Sequence, residues 1–298
     1  MKYAFFPGCS LESTGWDFDR STRAVCRALG IELSELSDWV CCGSTPAHAS
    51  DDGLAVALPV LNLQKASAVG LPVMAACASC YARLRTANHH VRRAPEARAR
   101  AERLTGQPYD GGVEVYHVLD VLVNRFGLDG IRAKVRRPLA GLRVAAYYGC
   151  LLTRPPEIVA FDDAEHPTGM DDLLAAVGAQ PVEWPYKTEC CGGSLSMTHS
   201  GVVARLGHKL LAMAREAGAD CLAVACPLCQ VNLDLRQADA SKAHGALSPT
   251  PVLYITQLLG LALGLSAGEL GLDALTVSAK PLLAARELAV LGAAGGQS

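Results

Sequence analysis

Ten of the twelve cysteines fall into two sets of the same design. The first is Cys9, the adjacent pair Cys41-Cys42 and the segment Cys77-x-x-Cys80; the second is Cys150, the pair Cys190-Cys191 and the segment Cys226-x-x-Cys229. The interval from pair to C-x-x-C is the same in both sets, whereas the interval from the first cysteine to the pair is longer in the second. Thiolates are soft ligands, and each set gathers five of them. A structural zinc ion takes four ligands and is redox-silent. A cubane iron–sulfur cluster also takes four cysteines. Five thiols, two of them adjacent in sequence and able to bridge or sit on neighbouring metals, exceed both needs, and the surplus occurs twice. The glycine after each pair, Gly43 and Gly192, suits a backbone that must bend tightly around a metal centre. Two matched arrays favour metal over cross-links, and iron–sulfur over zinc.

The arrays repeat at about 140–150 residues, so the chain reads as two copies of one unit. Its 298 residues are 50% hydrophobic and 19% charged, a globular composition with net charge −2. That balance gives no support for nucleic-acid binding. No apolar run reaches the roughly 18 residues of a membrane helix; the best candidate, Val252 to Leu265, is interrupted by Thr256 and Gln257 and reads as a buried or docking helix. The apolar run before Pro7-Gly8-Cys9 is too short for the roughly 7–15 residues of a signal core. A cytoplasmic protein with a mature N-terminus is expected, and there disulfides are rare.

The elements that must position the thiols follow from the pattern. Lys2 to Phe6 is a strand delivering Cys9, and Leu71 to Ala76 a buried strand delivering Cys77. Helical spacing covers Asp19 to Leu29, then Asp51 (a plausible N-cap) to Val69. Ile31 to Leu36 reads as a second strand. Arg83 to Arg103 reads as a helix restarted at Pro95, Val113 to Tyr116 as extended and Val118 to Phe126 as helical. The second half repeats the order: strand Arg143 to Tyr148, helix Met170 to Val177, strand Pro181 to Trp184, helix Val202 to Ala217, strand Cys221 to Ala225, and Val252 to Tyr254 with the helix after it. Strands alternating with helices predict an α/β fold with mostly parallel sheets, and sites on such sheets lie beyond the carboxyl ends of the strands. Cys9, Cys77, Cys150 and Cys226 all fall there. The expected division is residues 1–137, 138–268, and 269–298 as a C-terminal helix and disordered tail; Gly292 to Ser298 is expected to fray.

From Cys9 to about Gln237 the chain closely resembles the B subunit of heterodisulfide reductase, a family built on two cysteine-rich CCG domains. Phe6-Pro7-Gly8-Cys9, the stretches Tyr148 to Glu157 and Trp184 to Gly192, and Cys226 to Asp234 carry the resemblance. It implies two noncubane [4Fe–4S] clusters, one held by Cys9, Cys41, Cys42, Cys77 and Cys80, the other by Cys150, Cys190, Cys191, Cys226 and Cys229. It also implies that the clusters face each other with a disulfide substrate between them, such as the coenzyme M–coenzyme B heterodisulfide. Each would pass one electron and catch one sulfur. The implied partners are the small iron–sulfur (C) and flavoprotein (A) subunits of that family, since this chain has no flavin fingerprint and no ferredoxin-type cysteine run. Two other readings stand beside this one: a sulfur-oxidation protein working in the opposite direction, and a non-catalytic zinc-binding scaffold.

Outside the arrays, Cys26 and Cys221 read as packing residues. Arg154 and Lys187 are the cations nearest the second array and are candidates for the charged groups of a substrate, with surface placement as the competing reading. His199, eight residues past Cys191, is a candidate for substrate contact or proton donation. The arginine-rich segment reads as a solvated helix, with a docking face for an acidic partner as the alternative.

Overall fold

The computed structural model describes residues 1–286 and 288. Strands β1 (Lys2–Phe6), β2 (Glu32–Glu35), β3 (Val73–Ala75) and β4 (Val115–His117) form an all-parallel sheet in the order β2-β1-β3-β4. Strands β5 (Arg143–Tyr147), β6 (Gln180–Pro181), β7 (Cys221–Val224) and β8 (Val252–Tyr254) repeat that order as β6-β5-β7-β8, again all parallel. The fold is thus α/β with two pseudo-symmetric units, as the sequence predicts. The central strands read as unbroken apolar runs because helices cover both faces of a parallel sheet; β3 and β7 are buried throughout. The edge strands β2 and β6 are polar or very short. On β2, Glu32 pairs with Lys2 at 2.7 Å, and β6 is two residues long; both devices discourage further edge pairing.

The helices that matter for the site are α1 (Trp16–Leu29), α2 (Asp52–Val69), α3 (Ala78–Arg93) and α4 (Pro95–Thr105) in the first unit, and α5 (Gly169–Ala176), α6 (Ser200–Glu216), α7 (Gln237–His244) and α8 (Ile255–Ala262) in the second. Asp51 caps α2 as expected, accepting the Leu54 N–H at 2.9 Å. Pro95 sits in the first turn of α4, the one place where its missing N–H costs nothing. Three expectations change. The strand placed at Pro181 to Trp184 stops at Pro181, because the Trp184 indole N–H donates to Ala146 O at 2.9 Å and draws the chain out of the ladder. The helix over 118–126 becomes a π-helix from Val121 to Gly127, and Val231–Leu235 is its counterpart in the second unit. Helix α7 had no clear periodic signal in the sequence. The expected fraying of Gly292 to Ser298 lies outside the described residues.

The stretch from Val252 to Leu265 resolves into β8 and α8, and every residue of α8 is buried. Its partner is α1, from the other unit. Phe18 stacks on Tyr254 with centroids 4.1 Å apart and planes 3° from parallel. Ser21 Oγ and Thr256 Oγ1 share a hydrogen bond of 2.7 Å, and the Gln257 amide donates to Asp17 Oδ2 at 3.1 Å and Leu270 O at 3.2 Å. One apolar core therefore runs through both units, while a division near residue 137 leaves each sheet whole.

Asp17, 2% exposed, gives this seam a measurable pH dependence. Burial raises its pKa to about 6, against the amides of α1 and Gln257, which pull it down. A carboxyl whose folded pKa lies above its unfolded one stabilises the fold at low pH and loses that contribution as pH rises through 6. Asp17→Asn is therefore expected to stabilise the protein by ~2 kcal/mol at pH 8, with the gain vanishing near pH 4. Denaturant unfolding of both proteins at the two pH values checks this; an equal difference at both would contradict it.

Candidate metal centre

In an open sheet of order 2-1-3-4 the chain leaves strands 1 and 3 in opposite directions, and the crevice between their carboxyl ends is where ligands sit. Cys9 follows β1 and Cys77 follows β3; Cys150 follows β5 and Cys226 follows β7. The glycine before each first cysteine is forced by the geometry. Gly8 and Gly149 have φ of +70° and +68°, and a Cβ would stand 2.8 Å from Cys80 Sγ at Gly8 and 3.2 Å from Cys229 Sγ at Gly149. Gly43 and Gly192, with φ of +80° and +79°, turn the chain after each cysteine pair, as the sequence predicts. The C-x-x-C segments wrap the first turns of α3 and of the short helix Pro227–Gln230, whose N-terminal amides favour the thiolate at Cys77 and Cys226.

The thiols gather in pairs. Cys42 and Cys80 lie 3.4 Å apart, as do Cys191 and Cys229. Cys9 and Cys41 are 3.7 Å apart, and Cys150 and Cys190 3.9 Å. These separations exceed a disulfide bond and match the ~3.8 Å between two thiolates on one tetrahedral metal. Thiols in both arrays are drawn toward the thiolate. Cys41 is drawn down to about 2 by hydrogen bonds with Cys42 and Cys9, and Cys190 to about 6 by Cys150 with the Gly192 and Gly193 amides; burial opposes both. The buried Cys226 is lowered as well, by Cys229 and then Cys77. Cys41 and Cys190 are solvent-exposed, so each array presents a thiolate, the form that takes metal, at its open side. Across the seam, Cys77 and Cys226 are near enough to shift each other's pKa, Cys77 upward and Cys226 downward, and the residues before them, Ala76 and Ala225, share one hydrogen-bond donor. The two arrays are therefore adjacent.

Behind that contact lies His117, a residue the sequence reading passed over. Its Nε2 is 2.7 Å from Ala76 O and 3.1 Å from Ala225 O, while its Nδ1 accepts the Leu119 N–H at 3.1 Å. This pattern sets a neutral ring with the proton on Nε2, shared between the residues preceding Cys77 and Cys226. Burial lowers its pKa to about 4. Tyr254 holds the equivalent position at the end of β8, and among the described residues its buried hydroxyl has no partner; nor has the buried Nε of Arg83. The available signal was a polar ring closing each fourth, otherwise apolar, strand. Asn232 was also missed. Its amide donates to Cys191 O at 3.0 Å, lies 3.9 Å from Cys191 Sγ, and is held by Ser196.

The ten thiols and two orphaned buried donors beside them fit a sulfur-rich metal cluster, whose inorganic sulfides would bring acceptors to those donors.

The non-cysteine candidates separate. Lys187 is largely buried, but its ammonium pairs with Asp171 at 3.0 Å and Glu183 at 3.4 Å. Its carbonyl accepts the amides of Tyr148 and Gly149, which pins the strand end ahead of Cys150. Arg154 contacts Glu165 at 3.3 Å and Thr188 O at 3.4 Å. His199 is exposed at the start of α6, and among the described residues its ring bonds only Thr198, at 2.9 Å. In the arginine-rich segment, Arg85 and Arg92 donate to Ile158 O and Gly111 O. With Arg93 and Arg125 they line a surface cleft of about 420 Å³ away from the thiols.

The unequal spacing before each pair has a structural cause. From Cys150 the chain takes a detour before α5, and its short helix Pro156–Val159 lies on α3 of the first unit. There Val159 O accepts the Tyr81 hydroxyl at 2.6 Å. Cys150 is half-buried, whereas Cys9 is exposed.

The family model of the CCG cysteine-rich domain matches twice, at residues 3–85 and 144–234. The chain is 33% identical to the 8-methylmenaquinol:fumarate reductase membrane anchor subunit of Wolinella succinogenes, over 94% of this chain and 99% of that protein. It is 31% identical to the B subunit of the ferredoxin/F(420)H(2)-dependent CoB-CoM heterodisulfide reductase of Methanosarcina acetivorans, over 91% and 92%. A crystal structure of a hypothetical protein from Helicobacter pylori shares the fold, with a TM-score of 0.74 at 14% identity over 93% of this chain. This chain spans about half the length of that one, 52%.

Cys26 and Cys221 are 1% and 0% exposed, on α1 and β7, and burial alone dominates their raised pKa values. Cys26→Ala and Cys221→Ala are each expected to leave the metal content unchanged and to cost ~1–2 kcal/mol of stability. Metal analysis beside thermal unfolding checks both, and loss of metal in either would reassign the ligands.

Proposed function

Since the chain belongs to the family of proteins with two CCG cysteine-rich domains, as the B subunit of heterodisulfide reductase does, we propose that it is the disulfide-reducing subunit of a heterodisulfide reductase-type complex. The observation that carries this reading is the meeting of two five-thiol arrays where His117 bridges Ala76 O and Ala225 O, the carbonyls just before Cys77 and Cys226. Reduction of RS–SR consumes two electrons and two protons and yields two thiols. Two centres at one seam suit a substrate whose two sulfurs separate.

Cys9, Cys41, Cys42, Cys77 and Cys80 would hold one cluster and Cys150, Cys190, Cys191, Cys226 and Cys229 the other, each of the noncubane [4Fe–4S] type. When bound, each cluster supplies one electron. Each array offers five thiols, one more than a zinc site takes, which suits a polynuclear centre better. This chain's own residues fix the geometry. His117 ties the two strand ends together, and Gly8, Gly43, Gly149 and Gly192 let the backbone close on the sulfurs. Lys187 and Arg154 are already matched by carboxylates, so their contribution is to shape the second array. The reading includes a small iron–sulfur protein and a flavoprotein as electron donors, and a cytoplasmic setting in which twelve thiols stay reduced.

The fumarate reductase relative, matched over 99% of its length, favours a second reading: passage of electrons between a quinol and a reductase partner. No described helix is long and apolar enough to cross a membrane, so anchoring would rest on a surface or on a partner. Reduction of a quinone analogue, with no turnover of any disulfide, would select this reading over the first.

Anaerobically prepared protein is expected to contain about eight iron atoms, two four-iron clusters, and negligible zinc; two zinc ions and no iron would remove both readings. Cys41→Ala and Cys191→Ala are each expected to abolish disulfide reduction driven by a strong artificial reductant, because one remaining centre delivers one electron and strands a thiyl radical. Appreciable turnover by either variant, with its altered cluster shown to be absent, would sink the two-centre mechanism.

A further inference from the structure

The internal repeat builds a cleft at the same place in both units but lines only the first with arginine. Counted from the second cysteine of each C-x-x-C, Arg85, Asn88, His89 and Arg92 of α3 match Asp234, Gln237, Ala238 and Ser241. Each set lines a cleft, of about 420 Å³ in the first unit and about 800 Å³ in the second. The framework is shared. Asn88 donates to Val113 O at 2.7 Å and Gln237 to Thr250 O at 2.6 Å, in each case two residues before the fourth strand of the sheet. Arg85 Nε donates to Ile158 O at 2.9 Å, while the Asp234 carboxylate accepts the Thr276 and Val277 amides at 2.7 and 3.1 Å. Both side chains therefore hold the backbone of a distant segment.

The charge is what differs. The first cleft is lined by Arg85, Arg92, Arg93 and Arg125 against Glu114 and Glu157. The second is lined by Asp220 and Asp234 and, among the described residues, by no arginine or lysine. None of the four arginines forms an ion pair among the described residues. Asp120, whose pKa is raised by burial and lowered by Asn124, Arg125 and Arg85, bonds the Asn124 amide at 2.7 Å. Three of the guanidiniums are nevertheless held in place through contacts that leave their terminal nitrogens unbonded among the described residues. Arg85 and Arg92 use Nε on backbone carbonyls, Ile158 O and, at 2.6 Å, Gly111 O. Arg125 lies over the Tyr116 ring, 4.3 Å from its centroid. Gly111, at φ +80°, admits Arg92 because it lacks a side chain; a Cβ there would stand 2.7 Å from Arg92 Cγ. The shared framework does not require these charges, since Ser241 and Ala262 stand where the first unit has Arg92 and Arg125.

We propose that the cleft between α3, the approach to β4 and the π-helix Val121–Gly127 binds a small polyanion, a molecule carrying two or more phosphate or carboxylate groups. Like charges around one concavity repel each other, and a cleft of one sign concentrates the opposite one. Guanidiniums with fixed stems present paired N–H donors that match phosphate and carboxylate oxygens, and fixing them beforehand lowers the entropy lost on binding. Arg85 and Arg92 stand seven residues apart on α3, ~10 Å along its axis, and are pinned to different segments, which calls for more than one acid group on the ligand. Glu157 and Ile158 of the second unit close the cleft, so both units wall it. Its volume lies within the roughly 300–1,000 Å³ of small-molecule sites, whereas a protein partner needs a broad face of roughly 800 Å². The site lies apart from the thiols, whatever metal they hold.

The test is isothermal titration calorimetry of the full chain, prepared anaerobically with its metal. The probes are fructose 1,6-bisphosphate for phosphate and glutarate for carboxylate, both poor iron chelators. At least one of them is expected to bind with a stoichiometry of one, more weakly as salt rises. Arg92→Gln and Arg93→Gln are each expected to weaken that binding by about tenfold or more at unchanged metal content. Arg93 has no hydrogen bond among the described residues, so its variant tests the site even where Arg92→Gln disturbs the turn at Gly111. Arg103→Gln, which removes the same charge from α4 outside the cleft, is expected to bind as the wild type does. No saturable binding of either probe would overturn the proposal, and so would equal weakening by Arg103→Gln, the mark of a general charge effect. Binding of a hexaglutamate peptide where neither small anion binds would overturn it in favour of a protein-docking face.

Discussion

A single imidazole proton shared between two carbonyls holds the centre of this molecule together. His117 reaches Ala76 O and Ala225 O at once, and those carbonyls immediately precede the two cysteines that meet across the seam. A neutral ring in one tautomer is required, because Nδ1 is occupied as an acceptor. A buried donor divided between two acceptors on different units fixes the separation of two strand ends more firmly than apolar contact would, since either carbonyl left alone would be desolvated without compensation. The position of each array relative to the other follows from that bond, and so does any chemistry that uses both.

Much of this was legible in the sequence. The duplication, the parallel α/β class and the delivery of cysteines at strand ends could be read because each depends on local pattern: apolar runs, helical period, and glycines beside the thiols. The caps at Asp51 and Pro95 were readable for the same reason. What could not be read was anything settled between units. His117 fell between an extended stretch and a helix, and Tyr254 closed a short strand; only the pairing of two sheets gives either a role. Arg154 and Lys187 looked like free cations because their carboxylate partners, Glu165, Asp171 and Glu183, are brought to them by tertiary packing that local periodicity does not contain. Trp184 left its strand for a hydrogen bond that propensity does not contain.

The two units are alike in topology and unlike in detail. The second spends additional chain between Cys150 and α5, and that chain covers its own first cysteine while its helix Pro156–Val159 rests on α3 of the first unit. In return, α1 of the first unit buries its face against α8 of the second. Each half supplies part of the other's walls, so the repeat has become a mutual dependence, and the similarity between arrays survives mainly where sulfur geometry demands it.

That exchange has a consequence for the order of events in the cell. Ser21 and Thr256 are 235 positions apart, and contacts so distant in sequence form late, after a large loop-closure entropy has been met. Helix α1, which follows Cys9 directly, cannot complete its packing until the segment around residue 256 has left the ribosome. The thiols of the first array, although synthesised before those of the second, must therefore wait in an unfinished pocket until that segment emerges. Loading of the first array is tied to synthesis of the second unit, and the machinery that delivers metal would meet both units together.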